Sequence, residues 1–208
     1  MMNEALWAFG MTTIVKAYSE HGLEVISAQN ISSTVSNLFN CAFFAFGNAI
    51  AIIIGQHLGS GQLEKAKEDD RRLIFACIVT CIVIGSIMAL IAPLFPQIYN
   101  TSDAVKKLAG QFLTVSAILM PIQGFVHASY FTLRSGGKTL VTFVFDSVFV
   151  WVISIPAAFA LTNFTDLPIL PLYTIVQCLD IIKVIIGLIM LKSGIWVNNL
   201  VGENKSNI

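Results

Sequence analysis

The sequence predicts an all-α protein, a polytopic bundle of transmembrane helices. Of its 208 residues, 56% are hydrophobic and only 12% are charged, about half the charged share of an average soluble domain. The mean hydropathy is +0.79. The apolar runs are long and continuous, whereas a membrane β-barrel shows short segments of alternating polarity. Acidic and basic residues balance, so the net charge does not indicate nucleic acid, and the composition excludes a soluble enzyme and a disordered tail.

Six stretches are apolar enough to be membrane spans, because a helix needs about 20 mostly apolar residues to cross the hydrocarbon core. They are residues 3–18, 26–58, 73–95, 108–133, 140–161 and 169–191. The first covers only about 24 Å at 1.5 Å per residue, so we interpret it as a marginal helix or as part of a longer one. The polar stretch 62–72 predicts an amphipathic connector, and the glycine-containing stretch 134–138 predicts a tight turn.

Basic residues are divided unevenly between the links, which predicts the orientation. One face collects Lys65, Lys67, Arg71, Arg72, Arg134, Lys138, Lys192 and Lys205, and the other collects Lys16, Lys106 and Lys107. By the positive-inside rule the first face is cytoplasmic. We therefore expect a multi-pass protein of the cell membrane with both termini cytoplasmic and residues 201–208 as a cytoplasmic tail.

Polar side chains form a stripe along the second span. At 100° per residue they fall within an arc of about 80°, and they are Asn30, Ser33, Asn37, Asn40 and Asn48. Such a stripe lines a water-filled path or forms interhelical hydrogen bonds. In the fourth span, Gln123 and His127 follow Pro121 and are further candidates for a cavity lining. A packed, hydrogen-bonded histidine also explains His127.

Charged residues in or beside a span are costly and need a reason. Glu4 either binds a cation, relays a proton or pairs with a base, or it lies at the interface where the helix dipole favours an acid. Asp180 and Lys183 are three residues apart and close enough to neutralise each other. We interpret this pair, together with Asp146, as structural buried charges.

The sequence contains no convincing catalytic or metal-binding motif. Cys77 and Cys81 share a helical face, but no His, Asp or Glu is near them, so we expect small buried hydrophobic residues. The segment Gly136-Gly137-Lys138-Thr139 matches the end of a phosphate-binding loop, but Thr132 replaces its first glycine. We expect no enzymatic activity.

Several short motifs follow one another along the chain. They are Asn3-Glu4-Ala5-Leu6-Trp7; Gly55-x-x-x-Gly59-Ser60-Gly61 with Glu64 and Ala66; Leu133-Arg134-Ser135-Gly136-Gly137-Lys138-Thr139; Asp146, Trp151 and Pro156; and Ser193-Gly194-x-Trp196. In this order and spacing they resemble the multidrug and toxic compound extrusion (MATE) transporters. The resemblance implies a fold of twelve helices in two lobes, in which residues 1–200 look like the C-terminal lobe.

The resemblance also implies a function. It implies half of a secondary active antiporter that exports organic cations and drugs in exchange for sodium or protons. The partners would be the lipid bilayer, a missing N-terminal lobe and small organic cations, without nucleic acid, and without a cofactor besides the coupling Na⁺ or H⁺.

Glu4 matches an acid on the seventh helix of some members, so it is the candidate for cation coupling and the only candidate Na⁺ ligand. Sodium-coupled members carry a second acid on the tenth helix, where this chain offers Gln123. Proton-coupled members use an aspartate on the first helix, which has no counterpart here. Two other functions stay open: a non-transporting membrane scaffold or subunit, and a flippase for lipid-linked sugars.

Overall fold

Six helices make up the computed structural model, which describes residues 2–198. They are α1 (Met2–Ser19), α2 (Leu23–Gly59), α3 (Leu63–Ile91), α4 (Asp103–Ser135), α5 (Thr139–Phe164) and α6 (Ile169–Ser193). No strand occurs between residues 2 and 198, so the predicted all-α bundle is confirmed. The predicted tail 201–208, with Lys205, lies outside the described residues.

Five of the helices, α2 to α6, are long and apolar enough to cross a membrane. The first helix does not reach this hydropathy, because Asn3, Glu4 and Lys16 interrupt its 18 residues. The helices α2 and α4 have 37 and 33 residues, or about 55 and 50 Å at 1.5 Å per residue. They are therefore long enough to tilt within the bilayer or to project from it.

The third helix differs from the predicted span 73–95 at both ends. It begins at Leu63, so the polar stretch 62–72 is the first part of α3 rather than a separate connector. The hydropathy did not indicate one continuous helix, because residues 63–72 are mostly polar. Ala66 and Asp70 are nevertheless buried on one face of this first part of α3. The helix ends at Ile91, because Pro93 has no N–H to donate to the Ala89 carbonyl.

The fourth helix lies at the centre of the bundle and packs on α2, α3, α5 and α6. Its contact with α3 is close because small residues face each other. A Cβ on Gly85 would lie 2.7 Å from the Ala117 carbonyl oxygen, and a Cβ on Gly124 would lie 2.6 Å from Cys81 Sγ. Cys81 is fully buried and not in a disulfide, as expected from the sequence.

The fifth helix contains two π-helical segments, Val144–Val148 and Val150–Ser154. They precede Pro156, which cannot donate the hydrogen bond that the carbonyl of residue 152 would accept in an α-helix. The widened turns are where α1 packs. Trp151 Nε1 donates to the Leu6 carbonyl at 3.0 Å, and a Cβ on Gly10 would lie 2.6 Å from Val150 Cγ1.

The motif-bearing turns meet at one end of the bundle. His57 Nε2 lies 2.9 Å from Asp69 Oδ2 across the turn between α2 and α3. Thr132 Oγ1 donates to Asp70 Oδ1 at 2.5 Å, which joins α4 to α3. Gly136 lies against the Trp196 backbone so closely that any Cβ would clash. The larger set of basic residues, as far as the structure describes it, belongs to this end, which we call the basic end.

Candidate functional site

A cavity of about 430 Å³ lies between α1, α2, α4, α5 and α6. It brings together predicted site residues from five helices, far apart in the sequence. They are Glu4, Ser33, Asn37, Asn40, Gln123, His127, Asp146, Asp180 and Lys183. Three of the five residues of the polar stripe of α2 therefore face a cavity, and the three charges that we interpreted as structural lie on its wall.

Asn30 and Asn48 are the two members of the polar stripe that the cavity does not include. Both side chains are exposed. At 100° per residue, Asn30 points about 80° away from Asn40 around the helix axis. The lining of α2 continues on the other side of Asn40, to Ser36 and Ser32.

Two carboxylates of the cavity, on Glu4 and Asp146, are linked through one amide and one hydroxyl group. Asn3 Nδ2 donates to Asp146 Oδ2 at 3.3 Å and to the Tyr130 hydroxyl at 3.2 Å. Tyr130 in turn donates to Glu4 Oε1 at 3.5 Å. The Asn3 side chain is held by Ser147, whose hydroxyl donates to Asn3 Oδ1 at 2.5 Å. The π-helical part of α5 thus positions Asp146 beside the start of α1.

Arg134, at the end of α4, is the counter-charge of Glu4. Its Nη1 lies 3.4 Å from Glu4 Oε1 and 3.3 Å from the Tyr130 hydroxyl. The two charged side chains keep 51% and 59% of their surface exposed, so water screens this ion pair. Glu4 therefore does not lie alone at the end of its helix, because it belongs to a hydrogen-bonded cluster at the mouth of the cavity.

Asp180 and Lys183 form the second charged cluster of the cavity. Lys183 Nζ lies 3.6 Å from Asp180 Oδ1, as their spacing predicts. The ammonium group also lies 4.9 Å from the centre of the Phe149 ring, within the range of a cation–π contact. Lys183 is only 6% exposed. This wall therefore combines a buried base with a partly exposed acid.

His127 is surrounded by aromatic rings. The ring centres of Phe43, Phe44 and Phe131 lie 5.1, 4.9 and 4.9 Å from its own. The expected packing is present, but the expected hydrogen bond is not found at Nε2, which is buried without a partner among residues 2–198. Two other lining atoms, Gln29 Oε1 and Ser36 Oγ, are likewise buried without a hydrogen-bond partner among residues 2–198. The cavity thus presents polar atoms that can bind a guest.

Some lining residues were missed by the sequence analysis. Tyr173 bonds Ser116 and Gln177, each at 3.0 Å, and Tyr130 connects the carboxylates. The lining face of α4 could have been predicted from the sequence, because its polar residues recur at helical spacing on one face. They are Ser116, Gln123, His127, Tyr130 and Arg134.

The lining combines carboxylates with aromatic surfaces, which include Trp7, Phe44 and Tyr130. Aromatic faces and carboxylates are the groups that attract organic cations. Within residues 2–198, no group of three or more His, Cys, Asp or Glu side chains has the arrangement of a metal site. The geometry is thus that of a binding cavity within a membrane bundle.

Comparisons with known proteins match the chain to bacterial multidrug resistance proteins. The chain is 26% identical over 156 residues to the probable multidrug resistance protein NorM of Oceanobacillus iheyensis, a match of 72% of this chain and 33% of that protein. It is 28% identical over 125 residues to NorM of Halalkalibacterium halodurans, covering 57% and 26%. It is 20% identical over 173 residues to the probable multidrug resistance protein YoeA of Bacillus subtilis, covering 81% and 36%.

These matches span about a third of the length of the relatives. No solved structure matches the chain significantly. The model of the family described as MatE matches residues 1–160, which include α1 to α4, most of α5 and both linked carboxylates. The chain belongs to the MatE family.

Proposed function

We propose that the chain is the C-terminal half of a secondary active antiporter that exports organic cations and drugs in exchange for sodium ions or protons. The observation that carries the proposal is the central cavity, in which two linked carboxylates and several aromatic rings face one space. Family membership supports transport, and the names of the relatives support multidrug resistance. Family membership also points to a transporter rather than an enzyme.

The cavity suits a flat or lipophilic cation. The rings of Trp7, Phe44 and Tyr130 offer π-faces to positive charge. The unpartnered atoms on Gln29 and Ser36 provide hydrogen-bonding positions that different guests can use. A volume of about 430 Å³ is in the range of pockets for drug-sized molecules.

The coupling ion would bind at the linked carboxylates. Glu4 supplies one, and Asp146 on α5 supplies the second, because the fourth helix has Gln123 where sodium-coupled members carry an acid. The hydroxyl oxygen of Tyr130 lies in the same hydrogen-bonded cluster, and oxygen ligands suit a hard cation such as Na⁺. A proton would instead neutralise one carboxylate of the pair.

Arg134 would connect ion binding to movement. A cation at Glu4 competes with the Arg134 guanidinium, which lies 3.4 Å from the same oxygen. An exposed ion pair of this kind contributes only about 0–1 kcal/mol, so an incoming ion can displace it. Release of Arg134 would then loosen α1 from the end of α4 and open this mouth of the cavity. We further propose that this basic end is cytoplasmic, on the positive-inside rule.

An efflux experiment tests the proposal. The chain is expressed with the N-terminal half of a full-length relative in cells without their own drug pumps, and efflux of ethidium is followed. Glu4→Gln and Asp146→Asn should each abolish the dependence of efflux on the ion gradient. Glu24→Gln is the matched control, because Glu24 is an exposed acid of α2 outside the cavity.

Three results would count against the proposal. Unchanged ion-coupled efflux in Glu4→Gln would remove this residue from the mechanism. Absence of efflux with both halves present in the membrane would favour a scaffold. Movement of a lipid-linked sugar, without ethidium efflux, would favour a flippase.

A further inference from the structure

A second cavity, of about 740 Å³, lies at the basic end and outside the central cavity. The helix α3 and the second half of α6 both pack against α4, and this cavity is the groove between them. Its floor includes Phe125 of α4, and its walls come from the polar first part of α3 and the end of α6. We call it the α3–α6 groove.

The charges at the rim of the α3–α6 groove leave an excess of free cations. Glu64 and Glu68 form ion pairs with Lys67 and Arg72, and Asp70 is buried below the rim, where it accepts a hydrogen bond from Thr132. Lys65, Arg71 and Lys192 also line the groove, and none of the three has an ion-pair partner within residues 2–198. All three side chains are exposed. The rim therefore presents three basic side chains that can contact an anion.

Below the rim the α3–α6 groove is apolar. Ile74 and Phe125 are buried side chains on this wall, and Leu188 is 42% exposed. Leu191 and Trp196 complete the apolar surface. A small water-soluble anion would use the rim and leave this wall uncovered, whereas a molecule with an anionic head and apolar chains would use both.

We propose that the α3–α6 groove binds an anionic phospholipid of the surrounding leaflet. Its phosphate contacts Lys65, Arg71 and Lys192, and an acyl chain covers Leu188 and Leu191. Basic pockets between transmembrane helices recognise anionic lipid headgroups in this way. The lipid would hold the end of α6 beside the polar first part of α3.

Native mass spectrometry of the purified chain tests this proposal. The chain is released from mixed micelles that contain phosphatidylglycerol and phosphatidylcholine, and bound lipids are counted. Each basic residue near a membrane surface contributes a factor of about five in affinity. The combined variant Lys65→Ala, Arg71→Ala and Lys192→Ala should therefore lose bound phosphatidylglycerol more than tenfold, with phosphatidylcholine unchanged.

The matched control removes three charges from the opposite end, with Lys16→Ala, Lys106→Ala and Lys107→Ala. It should retain phosphatidylglycerol. Equal loss in both triple variants would show that surface charge alone attracts the lipid and would overturn the proposal.

Two further arms separate a lipid from a free anion and binding from folding. Leu188→Gln should weaken the binding of phosphatidylglycerol. Soluble glycerol phosphate should not displace phosphatidylglycerol from the unmodified chain. Displacement by glycerol phosphate would refute a lipid site. Lys65→Arg with Lys192→Arg keeps the charge and should bind as the unmodified chain does. Loss of lipid in this variant, with helicity by circular dichroism intact, would contradict the assigned charge contacts.

Discussion

Replacement of Gly124 by alanine tests the packing that places α4 at the centre of the bundle. The added Cβ would lie 2.6 Å from Cys81 Sγ, a distance that forces one of the two helices to shift. The sulfur is fully buried and cannot move into free space. Overpacking of this kind costs about 1–3 kcal/mol. At about 2–4 °C per kcal/mol for a chain of this size, Gly124→Ala should lower the midpoint of thermal unfolding by about 2–12 °C.

A second substitution identifies the cause. Removal of the sulfur by Cys81→Ala leaves Cys81 Cβ, at 3.4 Å, as the nearest atom of that side chain. The double variant Gly124→Ala with Cys81→Ala should therefore lose less stability than the sum of the two single variants, by about 0.5–3 kcal/mol. Helicity by circular dichroism in detergent is the suitable assay, because a thiol-reactive dye would respond to the loss of the cysteine itself.

The control is Gly55→Ala, at a helical position where an added Cβ meets nothing within 4 Å. It should leave the midpoint unchanged or raise it, because alanine is about 1 kcal/mol more favourable than glycine in a helix. Equal destabilisation by Gly124→Ala and Gly55→Ala would refute the argument from close packing. Strict additivity of Gly124→Ala and Cys81→Ala would refute the assigned contact.

Three further changes have defined outcomes. Arg134→Gln should lower the half-saturating concentration of the coupling ion by up to about fivefold, because an exposed pair with Glu4 is worth about 0–1 kcal/mol; a higher value in ion-dependent efflux would contradict the competition. Lys183→Met should cost about 1–3 kcal/mol, because it leaves the partly exposed Asp180 carboxylate without its partner. Thermal unfolding should show partial recovery when Asp180→Asn is added, and no recovery would mean that the pair is not the cause. Gly136→Ala should destabilise the basic end, because its Cβ would clash with backbone; hydrogen exchange of the last turn of α6 should rise, and unchanged exchange would contradict the contact.

The number and order of the helices could be predicted from the sequence, because each helix from α2 to α6 contains a long apolar run and α1 contains a shorter one. The boundaries were less predictable. The first ten residues of α3 are polar enough to resemble a loop, although Asp70 is held in the interior by Thr132, 62 residues away. The end of α3 before Pro93 could be predicted from the missing N–H of proline, but the hydropathy gave no indication of it.

The candidate site could be predicted only in part. The polar stripe of α2 predicted a cavity lining, because polar residues at helical spacing within one segment of sequence identify one face of a helix. The link between Glu4 and Asp146 depends on Asn3 and on a π-helical turn of α5, and Asn3 and Asp146 are 143 residues apart. Such a contact has no local signal. For that reason Asp146 was interpreted as structural, while the geometry places it in the coupling cluster that we propose.

We propose that the coupling ion binds at Glu4 and Asp146 in the cavity that also holds the organic cation, so that the two cations compete. The most direct measurement is equilibrium binding of tetraphenylphosphonium to the assembled two-lobe protein at increasing sodium concentration and at decreasing pH. One of these changes should weaken binding by the unmodified protein, and Asp146→Asn should remove that effect while Glu24→Gln preserves it. Binding that responds equally to ions in Asp146→Asn and in the unmodified protein would contradict the account.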